Sequence, residues 1–321
     1  MNDGWITMHI QEEAIDSTFF TLEKLAEGVY AAMSKSGTGT WSNGGFVDTG
    51  KDVIVFDAFS TPKAAMELRA AAEKLTGKKV TYLVNSHYHG DHTFGNQVFA
   101  DTVIISTEKT KELIEEKNSI PDLKKEKQMF QEYLDGLEKR LETERDPVIL
   151  KSLSNQFIEM KAVFESLDNL TITLPNLTFD KKLTFHGSER TAELYCFGGG
   201  HTPSDSFLYI PEEKIAFMGD LATEGLHFPI DNPLEFVSIL EKVMKYDIQT
   251  VVPGHGEIGT KEYFLIILKY LSHLIETANS GNALEEFIAL EPPEEYKGWT
   301  GVNGYKQNLS RVYTFLNQEN S

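Results

Sequence analysis

Apolar positions come first in short runs and later in helical stripes. Residues 28–33, 44–49 and 52–57 are short apolar or alternating runs parted by Gly, Ser and Asn, the pattern of strands joined by tight turns. A weaker alternation over 5–10 predicts an edge strand, and the rest of the first 26 residues is mixed. From Pro62 to Leu75, residues Ala65, Leu68, Ala72 and Leu75 share one helical face, with Gly77 as the stop. Val80–Val84 is a continuous apolar run of buried-strand length, followed by a short helical stretch to Asn96 and another strand at 103–106. Strand, helix, strand in this order predicts a layered α/β structure.

From 107 to 167 the pattern changes to Glu, Lys and Leu almost without Gly. Leu123, Phe130, Leu134, Leu137 and Leu141 form one stripe; Ile149, Leu153, Phe157, Met160, Phe164 and Leu167 form another after a break at Asp146-Pro147. Two long amphipathic helices, paired as an antiparallel hairpin inserted into the α/β core, are expected over 107–167. The apolar stripes read first as packing surface, internal or against a second copy in a homodimer; a lid or pocket wall is the alternative. Strands are then expected at 170–174, 177–179 and 183–185, with Asp180-Lys181 as a hairpin turn between two of them. Further strands at 191–197, 214–218 and 248–252, helices at 232–246, 261–278 and 305–316, and a loop at Pro292-Pro293 complete the reading, with the whole of 1–321 taken as one domain.

The chemistry begins where the Val80–Val84 strand ends. His87, His89, Asp91 and His92 fall within six residues. Residues two apart at a strand end point the same way, so His87 and His89 can grip one cation, and a turn at Gly90 can aim Asp91 and His92 beside it. Imidazole and carboxylate are the donors that suit zinc and neighbouring metals. Three later strands each run into one more candidate ligand among glycines: His201 after Gly198-Gly199-Gly200, Asp220 after Gly219, and His255 within Pro253-Gly254-His255-Gly256. Ligands gathered at strand ends are where α/β folds keep their sites.

Composition narrows the partners. A net charge of −19 repels phosphates at long range and disfavours nucleic acid. The single cysteine, Cys196, sits in an apolar run and reads as a buried thiol; a chain with no disulfide, no secretory leader and no membrane-spanning segment is expected in the cytoplasm, away from the membrane, acting on a small molecule.

Taken together, His87-x-His89-x-Asp91-His92, GGGHT at 198–202, MGD at 218–220 and PGHG at 253–256 resemble the motifs of the metallo-β-lactamase superfamily of hydrolases. The resemblance implies an αβ/βα four-layer sandwich with the site at one edge. It further implies two divalent ions, zinc foremost with manganese or iron as alternatives. His87, His89 and His201 would bind the first, Asp91, His92 and His255 the second, and Asp220 would bridge them. Asp57 matches an acidic residue that orients a ligand histidine, and His227, in the loop after Asp220, could face the substrate. Asp91 would orient a hydroxide held between the ions, which attacks an ester, lactone, thioester, amide or phosphoester. Asp220 is cysteine in one major β-lactamase subclass, and no lysine follows it closely, which turns the reading toward non-lactamase hydrolases. The rival implied by the same family is a mononuclear iron persulfide dioxygenase, which leaves the second ligand set unused.

Overall fold

The computed structural model describes residues 15–280, 286–287, 289–301 and 304–318. Two sheets lie face to face. The first has seven strands in sequence order: β1 (Phe20–Ala26), β2 (Val29–Ser34), β3 (Gly44–Asp48), β4 (Val53–Phe56), β5 (Val80–Val84), β6 (Val103–Thr107) and β7 (Leu177–Phe179). It is antiparallel from β1 to β4 and parallel from β4 to β7. The second has five, ordered β12 (Thr250–Val252), β11 (Ile215–Phe217), β10 (Ser206–Ile210), β9 (Thr191–Cys196) and β8 (Lys182–His186), antiparallel except for the parallel β11–β12 pair.

Strand alternation distributes the core into three slabs. In β4, Ile54 and Phe56 point between the sheets, where they meet Leu194, Leu208, Phe217 and Val252. Val53 and Val55 point outward against Ala64, Ala65, Leu68 and Ala72 of helix α1 (Pro62–Thr76). On the far side Phe207 and Tyr209 pack against Phe236 and Leu240 of a helix at Pro233–Val243, Ile267 and Leu271 of another at Glu262–Ala278, and Leu309 and Val312 of a last one at Gly304–Gln318. The result is the four-layer αβ/βα sandwich. The sheets approach closely enough that a Cβ on Gly45 would lie 2.4 Å from the Phe217 ring.

Local signals explain the boundaries. Thr61 caps α1, Pro62 opens it and Gly77 closes it at φ 66°. Residues 107–167 hold three helices rather than two: α2 (Glu108–Asn118) stands apart, and the hairpin proper is α3 (Leu123–Thr143) with α4 (Pro147–Ser166). Asp122 and Asp146 cap its two arms, and Pro147 is at the first turn of the second.

Two further expectations are corrected. Residues 170–174 form no strand, because Asn96 and Gln97 side chains bond Thr173 O and Thr171 N in place of a strand partner. Asp180-Lys181 is not a hairpin turn but the crossing between sheets, since β7 pairs with β6 and β8 with β9. Strands β1 and β10 were absent from the pattern reading altogether. The expected edge strand at 5–10 lies outside the described residues. No described helix is long and apolar enough to cross a membrane.

Candidate metal centre

All seven sequence-predicted ligands meet at the edge of the sandwich, in two groups: His87, His89, His201 with Asp220, and Asp91, His92 with His255. In the first, Nδ1 of His89 lies 3.0 Å from Nε2 of His87 and 3.1 Å from Nε2 of His201, while Oδ2 of Asp220 lies 3.1 Å from His201 and 3.8 Å from His87. In the second, Nε2 of His92 and Nε2 of His255 each lie 3.3 Å from Asp91 Oδ2 and 3.3 Å from Asp220 Oδ1. Four donors around one zinc at its usual bond lengths stand about 3.3 Å apart. Asp220 turns one oxygen to each group.

The outer ring nitrogens of four of the five ligand histidines are occupied. His92 Nδ1 donates to Asp57 Oδ2 at 2.8 Å, His201 Nδ1 to the Pro229 carbonyl at 2.7 Å, and His255 Nδ1 to the Trp41 carbonyl at 3.2 Å. The Ser86 hydroxyl donates to Asp57, which leaves it to accept from His87 Nδ1 at 2.9 Å. With Nδ1 protonated, Nε2 of each of these four rings carries its lone pair inward.

Backbone features put the ligands there. Asp57, fully buried at the end of β4, holds the left-handed φ of 59°, a conformation that costs a non-glycine residue about 1 kcal/mol or more and clusters at functional sites. Gly254 is required by proximity: a Cβ would stand 2.0 Å from Asp220 Oδ1. Asp205, which the sequence reading passed over, shapes the loop that carries His201 by accepting from the backbone of Gly200, His201 and Thr202. Its signal was available as an acidic residue four positions after a ligand, where Asx-type loop bonds are common.

The donor set fits divalent cations. Nε2 of His92 and Oδ1 of Asp220 are buried with no hydrogen-bond partner. Burial pushes the two carboxyls up, yet His92 for Asp91, and His255 for Asp220, hold both well below the usual range. Burial pushes the imidazoles down; against it, Asp220 carries His255 to about 10, whereas His89 stays at about 3. Two ionised acids that raise His255 so far form a site that demands positive charge, which a divalent cation can supply in place of the ring protons.

Above the ligands lies a cavity of about 430 Å³ with apolar walls that include Trp41, Phe94, Phe130, Met160 and Phe228. Much of one wall is α4, so the inserted hairpin is pocket wall as well as packing. His227 is in the opposite wall, its Nδ1 2.8 Å from the Tyr270 hydroxyl. A larger cleft of about 870 Å³ between α1 and α4 contains none of the seven ligands. Glu159, unforeseen from sequence, also lines the site cavity.

The sequence model of the family described as Metallo-beta-lactamase superfamily matches residues 38–255. Among solved structures, a metallo-beta-lactamase from Pontibacter korlensis is similar at 20% identity and TM-score 0.57, over 79% of this chain and 99% of that one. The inverting sec-alkylsulfatase Pisa1 from a Pseudomonas species is similar at 16% identity and TM-score 0.66, over 92% of this chain and 50% of that one. At these identities the structures show a shared fold.

Proposed function

The chain belongs to the metallo-beta-lactamase superfamily of metal-dependent hydrolases, and we propose that it works with two divalent cations, zinc foremost, on an ester, lactone, thioester, amide or phosphoester of a small molecule. The observation that carries the reading is Asp220, whose two oxygens face two complete groups of donors.

In this reading His87, His89 and His201 would hold one ion and Asp91, His92 and His255 the other, with Asp220 offering one oxygen to each. Such ions lower the pKa of a bound water toward neutrality and polarise the oxygen of the bond to be cleaved. The Asp91 carboxylate, which offers Oδ2 to the second group, would orient the attacking water and accept its proton on its other oxygen. Asp57 fixes the tautomer of His92, and Trp41 and Phe228 exclude bulk water from one side of the reacting centre.

Protein with its metal content measured, assayed against a panel of lactones, thioesters, phosphoesters and β-lactams, tests this reading. Hydrolysis of one class, abolished by chelation and restored by zinc or manganese, is expected. Oxygen uptake on glutathione persulfide with one iron per chain would replace it by the dioxygenase alternative.

A further inference from the structure

One face of α4 fronts the site cavity along much of its length. Ser152, Asn155, Gln156, Glu159, Met160 and Val163 recur at the spacing of a single helical stripe, and all six border the cavity. At the rise of a helix this wall runs roughly 16 Å. It is graded, polar at Ser152, Asn155 and Gln156 and apolar at Met160 and Val163. Glu159, between the two parts, accepts from the Ser60 hydroxyl at Oε1 and keeps Oε2 buried, so it offers a ligand almost no surface.

An adjoining cleft of about 500 Å³ shows which end opens to water. It shares Trp41, Asn155 and His255 with the cavity, and adds Lys151, Glu224 and Glu257, all exposed. None of Phe94, Phe130, Met160, Val163 and Phe228 borders it. The cavity thus passes from an apolar end, to which the hairpin contributes Phe130 and Met160, to a polar end that continues into the cleft. Leu134, Leu137 and Leu153 of the hairpin are buried, whereas Phe130 and Met160 are only partly covered. A ligand that covers the rest removes apolar surface from water, which favours binding.

We propose that this cavity takes an amphiphilic substrate, whose apolar chain lies along α4 against Phe130, Met160 and Val163 and whose polar group points past Asn155 into the adjoining cleft. The bond to be cleaved lies between the two, over Asp91, Asp220 and His255, which border the same cavity. Phe130 and Met160 set the preference for chain length, because each methylene they cover adds to binding as far as the apolar end extends. The inserted hairpin thus brings selectivity, and the sandwich brings reactivity. This inference rests on the hydrolase reading and adds the class of substrate to it.

Calorimetric binding of butanoate, hexanoate and octanoate to the metal-loaded protein tests it, since the three share one carboxylate and differ only in chain. Each added methylene should tighten binding about two- to fourfold. Phe130→Gln combined with Met160→Gln should cut that gain below about 1.5-fold per methylene. Met129→Gln, the same change at an exposed position outside the cavity, should leave it intact. A wild type whose affinity ignores chain length, or a double variant that keeps the gain, overturns the assignment. Should the double variant fail to fold, Met160→Gln alone decides, and an unchanged gain there overturns it equally. Binding needs no turnover, so an active hydrolase without the gain would sink this inference alone. The gain in a protein that hydrolyses nothing in the panel would sink the hydrolase reading alone.

Discussion

Oδ2 of Asp57 lies 2.8 Å from Nδ1 of His92, and neither side chain reaches solvent. The contact joins a strained strand end to a ring whose other nitrogen faces the second donor group. An oriented histidine binds metal more tightly, and loss of such a partner costs about 10- to 100-fold in affinity.

Asp57→Asn keeps the size and the tolerance for positive φ but removes the charge. The weaker of two metal dissociation constants, measured by chelator competition, should rise about 10- to 100-fold while the tighter one changes little. Two unchanged constants would mean that Asp57 is only a turn carboxylate.

Two glycines separate stability from metal binding. A Cβ on Gly45 would meet the Phe217 ring at 2.4 Å and the Tyr30 carbonyl at 2.5 Å, between the sheets and away from the ligands. Gly45→Ala should lose roughly 1–3 kcal/mol in denaturant unfolding and keep its metal content. Gly254→Ala displaces Asp220 and should lose metal. Equal metal loss in both variants would show that the site merely follows global stability.

His227 supplies a pH dependence. Its folded-state value near 4 lies below the ordinary 6.5, so the unfolded chain binds the proton more readily. The stability it contributes is present above pH 6.5 and is lost as pH falls toward 4. His227→Asn should flatten the loss between pH 7 and 5 by roughly 2 kcal/mol in urea unfolding of metal-free protein. Parallel stability curves for the two proteins would refute the buried, neutral state of His227.

The hairpin carries none of the seven ligands, so replacing 123–166 by a short flexible linker should leave metal content intact. The pocket wall goes with it, and KM should rise at least about tenfold, since binding made by remote contacts is lost. A homodimer formed through the hairpin would use Leu123, Met129 and Tyr133, which expose apolar surface on its outer arm. Sedimentation of the same deletion reports that directly, and an unaltered KM would count against the wall.

Much of this was legible because it was local. Val80–Val84 is continuous, apolar and followed at once by four donors, and its observed bounds match. Asp146-Pro147 reads as the break between two helices, and the structure starts the second helix there, with Asp146 as cap and Pro147 in the first turn. Long-range choices were not legible. Asp180-Lys181 has turn composition, yet which sheet each flanking strand joins is decided by β6 and β9. Ser206–Ile210 is buried on both faces, so it carries no alternation, and it ends in no ligand. Glu159 is a charged residue between the stripe positions Phe157 and Met160 and reads as solvated surface; only the fold turns it against Ser60 and into the cavity wall.

Metal content per chain, measured by mass spectrometry on wild type and on Asp220→Ala, tests the central claim most directly. Two equivalents of zinc or manganese in the wild type, and a fall in both when the shared carboxylate is removed, are the predicted result. A single ion in the wild type, two ions retained without Asp220, or full activity after every metal has been stripped would contradict it.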